Sequence, residues 1–171
     1  MTTYRDLYQQ AQADSEGFWL DAAKSIDWVT PPTRALDASN PPFSRWFPDG
    51  ELNTCYNAVD RHVAAGRGDQ KAIIYDSPIT DSASTMSFSE LQTATALFAG
   101  MLARLGINKG DRVIIYMPMI PQSLVAMLGC ARLGAVHSVV FGGFAAAELA
   151  KRIDDAQPKA IISASCGHEP G

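Results

Sequence analysis

Apolar residues recur at helical spacing over Tyr4–Ala13 and again over Phe18–Ser25, which predicts two helices at the N-terminal end. The next stretch breaks every period. Pro31, Pro32, Asn40, Pro41, Pro42, Pro48 and Asn53 crowd it, with Trp28, Phe43, Trp46, Phe47 and Tyr56 among them. Proline forbids a regular helix or ladder. The aromatic side chains are therefore expected to be buried against something else, in an ordered arm packed onto a domain.

Periodicity returns at Asp69. Lys71–Tyr75 and Ser84–Phe88 are predicted to be short strands, joined by a polar loop through Pro78 and Asp81. Ser87 with Glu90 three residues later forms a capping box. Behind it Leu91, Ala94, Phe98, Met101, Leu102 and Leu105 repeat at steps of three and four until Gly106 stops the helix. Arg112–Tyr116 is a predicted strand. Ile120–Leu133 is a predicted helix, with Pro121 in its first turn and Gly134 after its end. A strand over Val136–Val140, a helix over Ala145–Asp155 and a strand over Lys159–Ser163 complete the pattern. Alternation of strand and helix with short loops implies an α/β fold with parallel strands and right-handed crossovers, a βαβαβ sheet. The 120–133 helix is apolar nearly all round, so it is expected to be buried on more than one side.

Composition removes several function classes. The 171 residues are 47% hydrophobic and 19% charged, a globular balance. The net charge is -4 and no lysine or arginine run occurs, so nothing tracks a phosphate backbone and no nucleic-acid partner is expected. Met1–Gln12 is polar and mixed in charge, unlike a secretory signal. The longest apolar stretch, 120–140, is broken by Gln122, Arg132, Gly134 and His137, short of the ~20 residues of a membrane span. Cys55, Cys130 and Cys166 are scattered, without zinc spacing or a disulfide framework. A soluble, cytoplasmic protein with no membrane partner is expected.

One segment stands out for chemistry. Phe141-Gly142-Gly143-Phe144 lies directly between a predicted strand and the helix that follows it. Ligands of open α/β sheets sit at the carboxyl ends of strands. Glycines there permit close backbone approach, and a helix N-terminus offers free N–H groups. Position alone leaves a second reading open, a tight turn with no ligand. Gly66-Arg67-Gly68 lacks the third glycine and the preceding strand of a dinucleotide fingerprint and is expected to be a loop. His62, His137 and His168 have no metal spacing, and His137 is expected to be a core histidine. Arg45, Asp60 and Arg61 lie among the aromatics, where ion pairs or hydrogen bonds are the expected role. No phosphate loop of the GxxxxGK[ST] type and no catalytic triad can be assembled.

Several runs together resemble the acetyl-/propionyl-CoA synthetases of the AMP-forming, adenylate-forming superfamily. They are Arg45-Trp46-Phe47, Leu52-Asn53-Thr54-Cys55-Tyr56-Asn57, Asp60-Arg61-His62, the run Gly110 to Pro121, and Ala126 through Phe144. The resemblance implies an N-terminal extension over 1–62, packed on the incomplete start of an adenylating domain over 63–171. It implies a two-step ligase using a small carboxylic acid, ATP and coenzyme A, with Phe141, Gly142 and Gly143 lining the access of CoA. It also implies Mg2+ in the parent enzyme, bound by a ligand outside this sequence. The phosphate loop, acyl pocket and C-terminal catalytic lysine would lie beyond Gly171, so no catalytic residue is assigned here and the chain alone is expected to be inactive.

Many acetyl-type members carry two arginines, three apart, that meet the CoA phosphate. Glu169 matches the first of these positions, and a carboxylate there would repel the phosphate. Ala164–Gly171 and the compact extension resemble the propionyl type more closely. A sheet ending at Lys159–Ser163 would leave an open edge and apolar helix faces, so self-association is expected. A nucleotide- or CoA-binding module without catalysis, or a purely structural domain, remain the competing classes.

Overall fold

The computed structural model describes residues 2–143 and 145–167. The chain folds as two compact units, Met1–Asn53 and Thr54–Gly171.

In the first unit, α1 (Tyr4–Ala13) starts at a reciprocal capping box between Thr3 and Asp6. The second helix, α2 (Ser15–Ala23), is capped by Asp14, which accepts from the Gly17 N–H. It begins earlier than expected because Asp14 turns the chain directly from one helix into the next. Trp28 Nε1 donates to the Ala23 carbonyl at 2.8 Å, satisfying an end-of-helix acceptor.

The proline-rich stretch does form a ladder, contrary to expectation. A short antiparallel pair, β1 (Leu36–Asp37) with β2 (Arg45–Trp46), fits between the prolines because neither strand contains one. Trp28 meets Phe47 edge-on at 5.5 Å, and Trp19 meets Trp46 at 5.4 Å. Gly50 leaves room for the Trp28 ring, since a Cβ there would lie 2.7 Å from it. Burial of the aromatics is incomplete. Phe43 is 75% exposed and Trp46 53% exposed, so contacts with one another replace a common core.

In the second unit, residues 54–67 are helical, with π-helical turns at Tyr56–Asp60 and Val63–Arg67. This segment corrects the expectation of an irregular arm, while at Gly66 the backbone leaves the helical region, in keeping with the loop expected there. Gly66 takes φ 77° at its end, a conformation open to glycine. Cys55 and Val59 of this segment are fully buried with Leu91 and Val125. The compact units therefore divide after Asn53, ahead of residue 62, where resemblance places the end of the extension.

A hairpin follows, β3 (Lys71–Ser77) antiparallel to β4 (Ser82–Ser87). α3 (Phe88–Arg104) opens at the Ser87–Glu90 capping box, with bonds of 2.7 and 3.2 Å. It closes at Gly106, φ 83°, where the Ile107 N–H reaches the Leu102 carbonyl and the Gly106 N–H reaches Ala103. Leu102 and Ile107 are both buried in one cluster, the hydrophobic contact that accompanies this stop.

Then come β5 (Arg112–Met117), α4 (Pro121–Leu133), β6 (Val136–Phe141), α5 (Ala146–Ala156) and β7 (Ala160–Ser163). The three strands are parallel in the order β6-β5-β7. Central β5 is apolar on both faces, with Val113, Ile114 and Ile115 all buried, as a strand covered on both sides must be. Val113 shares a core with Leu102, Ile107, Cys130 and Ala135, and Ala160 and Ile162 pack against it, which puts α3 and α4 on that face. α4 begins at Pro121 and ends at Gly134 with φ 70°, as its sequence signals require. Its buried residues, Ser123, Val125, Ala126, Gly129 and Cys130, spread over more than one side, as expected. At Gly129 a Cβ would lie 2.6 Å from Phe98, so the missing side chain lets α3 and α4 approach closely.

Candidate functional site

The chain leaves β5 for β6 through α4, then passes back across β5 to β7 through α5. These connections run in opposite directions, so right-handed crossovers place α4 and α5 on opposite faces of the sheet. In the order β6-β5-β7 the strand order reverses between β5 and β7, the switch point at which open α/β sheets form a ligand crevice, and the carboxyl end of β6 lies on the other side of β5. Met117 of β5 and Phe141 of β6 pair at the last rung of their ladder, beside that point.

Two turns follow the carboxyl ends of β5 and β6. After β5, the Ile120 N–H bends back to the Pro118 carbonyl at 2.9 Å, and buried Ser123 anchors the turn by donating Oγ to the Ile120 carbonyl at 2.7 Å. Pro121 can open α4 because the first helical N–H has no partner in any helix. After β6 come Gly142 and Gly143, then α5, whose N-cap Ala145 supplies no side-chain cap.

The two glycines are not equivalent. A Cβ on Gly142 would stand 3.0 Å from the Met117 carbonyl carbon and oxygen and 3.1 Å from the Pro118 nitrogen. The close approach expected of a ligand is here made by the end of β5, so Gly142 is required by packing. Gly143 is exposed. The side chain of Phe141, and Phe144 altogether, lie outside the described residues. At the start of α5, Glu148 already offsets part of the positive helix end. Its carboxylate bonds Lys151 at 2.7 Å and Arg152 at 3.4 Å, and these hydrogen bonds hold it below the usual range.

The remaining candidates fall elsewhere. Asp60 is ion-paired with Arg132 at 2.9 Å, as expected of a structural carboxylate. Arg61 donates to Asn57 Oδ1 at 3.0 Å, and Arg45 approaches Asp37 at 3.7 Å on the surface. His62 bonds Arg67 and meets the Phe88 ring edge-on at 5.0 Å. His137 sits half-buried on β6, level with Val113 and Ala160. His168 and Glu169 lie outside the described residues. Among the described residues no three His, Cys, Asp or Glu side chains converge as a metal site would need, and no helix is long and apolar enough to cross a membrane. Sequence reasoning missed the role of Met117 and Pro118 as the wall against Gly142. Their signal was the position of Pro118 just after a strand whose partner ends in two glycines.

A parallel three-stranded sheet with a glycine turn at the carboxyl end of β6 defines an α/β protein. The chain belongs to the AMP-binding enzyme family, whose model matches residues 60–170, while the model of the acetyl-coenzyme A synthetase N-terminus matches residues 4–58. It is 51% identical to acyl-CoA synthetase short-chain family member 3, mitochondrial, of Mus musculus, over 98% of this chain and 25% of that protein. Similarity to the human protein of the same name is 50% over 98% of the chain and 24% of the relative. Acetyl-coenzyme A synthetase of Streptomyces avermitilis is 51% identical over 97% of the chain and 25% of its own length. The chain spans about a quarter of the length of these curated relatives.

Proposed function

We propose that residues 1–171 serve as the extension and the opening strands of an AMP-forming ligase that joins a short carboxylic acid to coenzyme A. The observation that carries this reading is the Gly142–Gly143 turn at the carboxyl end of β6, beside central β5, in a chain matched by the AMP-binding family over residues 60–170. In the first step a carboxylate oxygen attacks the α-phosphorus of ATP, and pyrophosphate leaves. In the second the CoA thiolate attacks the acyl carbon, and AMP leaves. Phe141, Gly142 and Gly143 line the access of CoA near its nucleotide end. Gly143 offers open backbone to the ligand, and Gly142 holds that backbone against Met117 and Pro118. The Mg2+ expected with ATP takes its ligand from polypeptide outside this sequence.

Propionate is the favoured acid, on the resemblance of Ala164–Gly171 to the propionyl type. Acetate is the second reading, favoured by the 51% identity to a protein named acetyl-coenzyme A synthetase. The cytoplasm is the compartment expected from the sequence. The mouse relative carries "mitochondrial" in its name, which makes that compartment the competing one.

The test is ATP–pyrophosphate exchange and CoA-ester formation by the native gene product that contains these residues, with propionate and acetate in parallel. Acid-dependent exchange and equal yields of AMP and CoA ester are expected, with the higher kcat/KM for propionate. No AMP with either acid would contradict the proposal. The purified 171-residue chain alone is expected to catalyse no exchange above a mock preparation.

A further inference from the structure

α3 carries two apolar stripes. Leu91, Thr95, Ala99 and Leu102 form the buried one. A second runs along another face, where Leu97 is 72% exposed, Met101 42% and Leu105 65%, each one helical turn from the next. With Ala96, Gly100 and Arg104 they line a shallow hollow. Gly100 keeps that hollow open, since a Cβ there would meet nothing within 4 Å. One turn earlier Ser89, Glu90, Thr93 and Ala94 line a second hollow, and Leu97 stands on the boundary of both. An exposed leucine between two hollows is a knob beside a hole, the arrangement by which helices interdigitate.

We propose that this face of α3 pairs with α3 of a second copy of the chain, antiparallel and about a two-fold axis. The two charges on the stripe select that geometry. Glu90 marks its N-terminal end and Arg104 its C-terminal end. An antiparallel pair brings Arg104 of each copy to the Glu90 end of the other, whereas a parallel pair would set arginine on arginine and glutamate on glutamate. Leu97 of each copy then enters the hollow over Gly100 of the other, an isologous contact made twice. One 17-residue helix per copy falls well below a standard interface of ~1,600 Å2, so the dimer is weak, with dissociation in the micromolar range or above.

Sedimentation equilibrium of the 171-residue chain over a concentration series tests this. Mass should rise from 18.4 kDa toward twice that value. Leu97→Glu should weaken association on the order of a hundredfold, because each dimer loses two buried leucines, and its thermal melt should match the parent. Arg104→Glu should weaken it less. Ile74→Glu, at a position 74% exposed on β3, should leave it intact. A monomer at every concentration would overturn the proposal, leaving the face to a different protein or to further polypeptide. A dimer that survives Leu97→Glu, or that Ile74→Glu abolishes, would equally overturn it by placing the contact elsewhere, for example at the outer edges of β6 and β7.

Discussion

One nitrogen of Arg132, Nη2, donates to both carboxylate oxygens of Asp60 at 2.9 Å, joining residues 72 apart in sequence. Gln92 Nε2 donates to the same Oδ1 at 2.8 Å. A single carboxylate on a π-helical turn thus ties the 54–67 segment to α3 and to the last turn of α4. Cys55, Val59, Leu91 and Val125 are buried among the same three elements. Asp60→Ala would remove the carboxylate partner of a guanidinium that is only 27% exposed, and removing one partner of such a pair costs more than the pair contributes. A loss of roughly 2–3 kcal/mol is expected in urea unfolding, against about 1 kcal/mol for Gln92→Ala. Equal effects from the two variants would mean that the charge pair does not anchor the segment.

Gly142→Ala forces a Cβ to within 3.0–3.1 Å of the backbone at Met117 and Pro118. Backbone at the end of a central strand cannot yield as a flexible side chain can, so β5 and β6 must part slightly. The expected cost is about 1–3 kcal/mol. A fall in Tm of several degrees would register it, and an unchanged Tm would show that the turn has slack.

Thr95 is fully buried on the inner stripe of α3, and its hydroxyl has no hydrogen-bond partner. Thr95→Val keeps the shape and removes an unpaired polar atom. A gain of roughly 1 kcal/mol in urea unfolding is expected. A loss instead would reveal a partner for the hydroxyl.

Cys55 and Cys130 are fully buried, and Cys166 is exposed. Burial raises both inner thiols, Cys130 to about 11 from an ordinary 9.0. A native chain should therefore react rapidly with Ellman's reagent at one thiol of three, and at all three when unfolded. The sign of the pH effect follows. The folded state favours the neutral thiol, so this contribution is complete below pH 9, falls between pH 9 and 11, and is gone above. It amounts to on the order of 2 kcal/mol. Cys130→Ala should lack that part of the alkaline decline, and an identical decline in parent and variant would contradict it.

The parallel sheet was legible because its punctuation is chemical. Ser87 with Glu90, Pro121, and the glycines at 106 and 134 each solve a backbone problem that the structure shows them solving. The 54–67 helix was not legible. Its π turns displace the apolar positions from the usual period, and its neighbours in sequence are prolines and aromatics that signal irregular chain. At the candidate site, two adjacent glycines look alike in sequence. Only the position of the Met117 and Pro118 backbone separates the one that packs from the one that is exposed.

The ligand role of the turn is tested most directly by Gly143→Leu in the native gene product, with both half-reactions measured on the same preparation. On the proposed function ATP and the acid bind elsewhere, so acid-dependent pyrophosphate exchange should largely survive. CoA-ester formation should fall on the order of a hundredfold, as when ~3 kcal/mol of CoA-dependent transition-state binding is lost. Equal losses in both reactions, together with a lowered melting temperature, would show that Gly143 serves the fold and that CoA passes elsewhere.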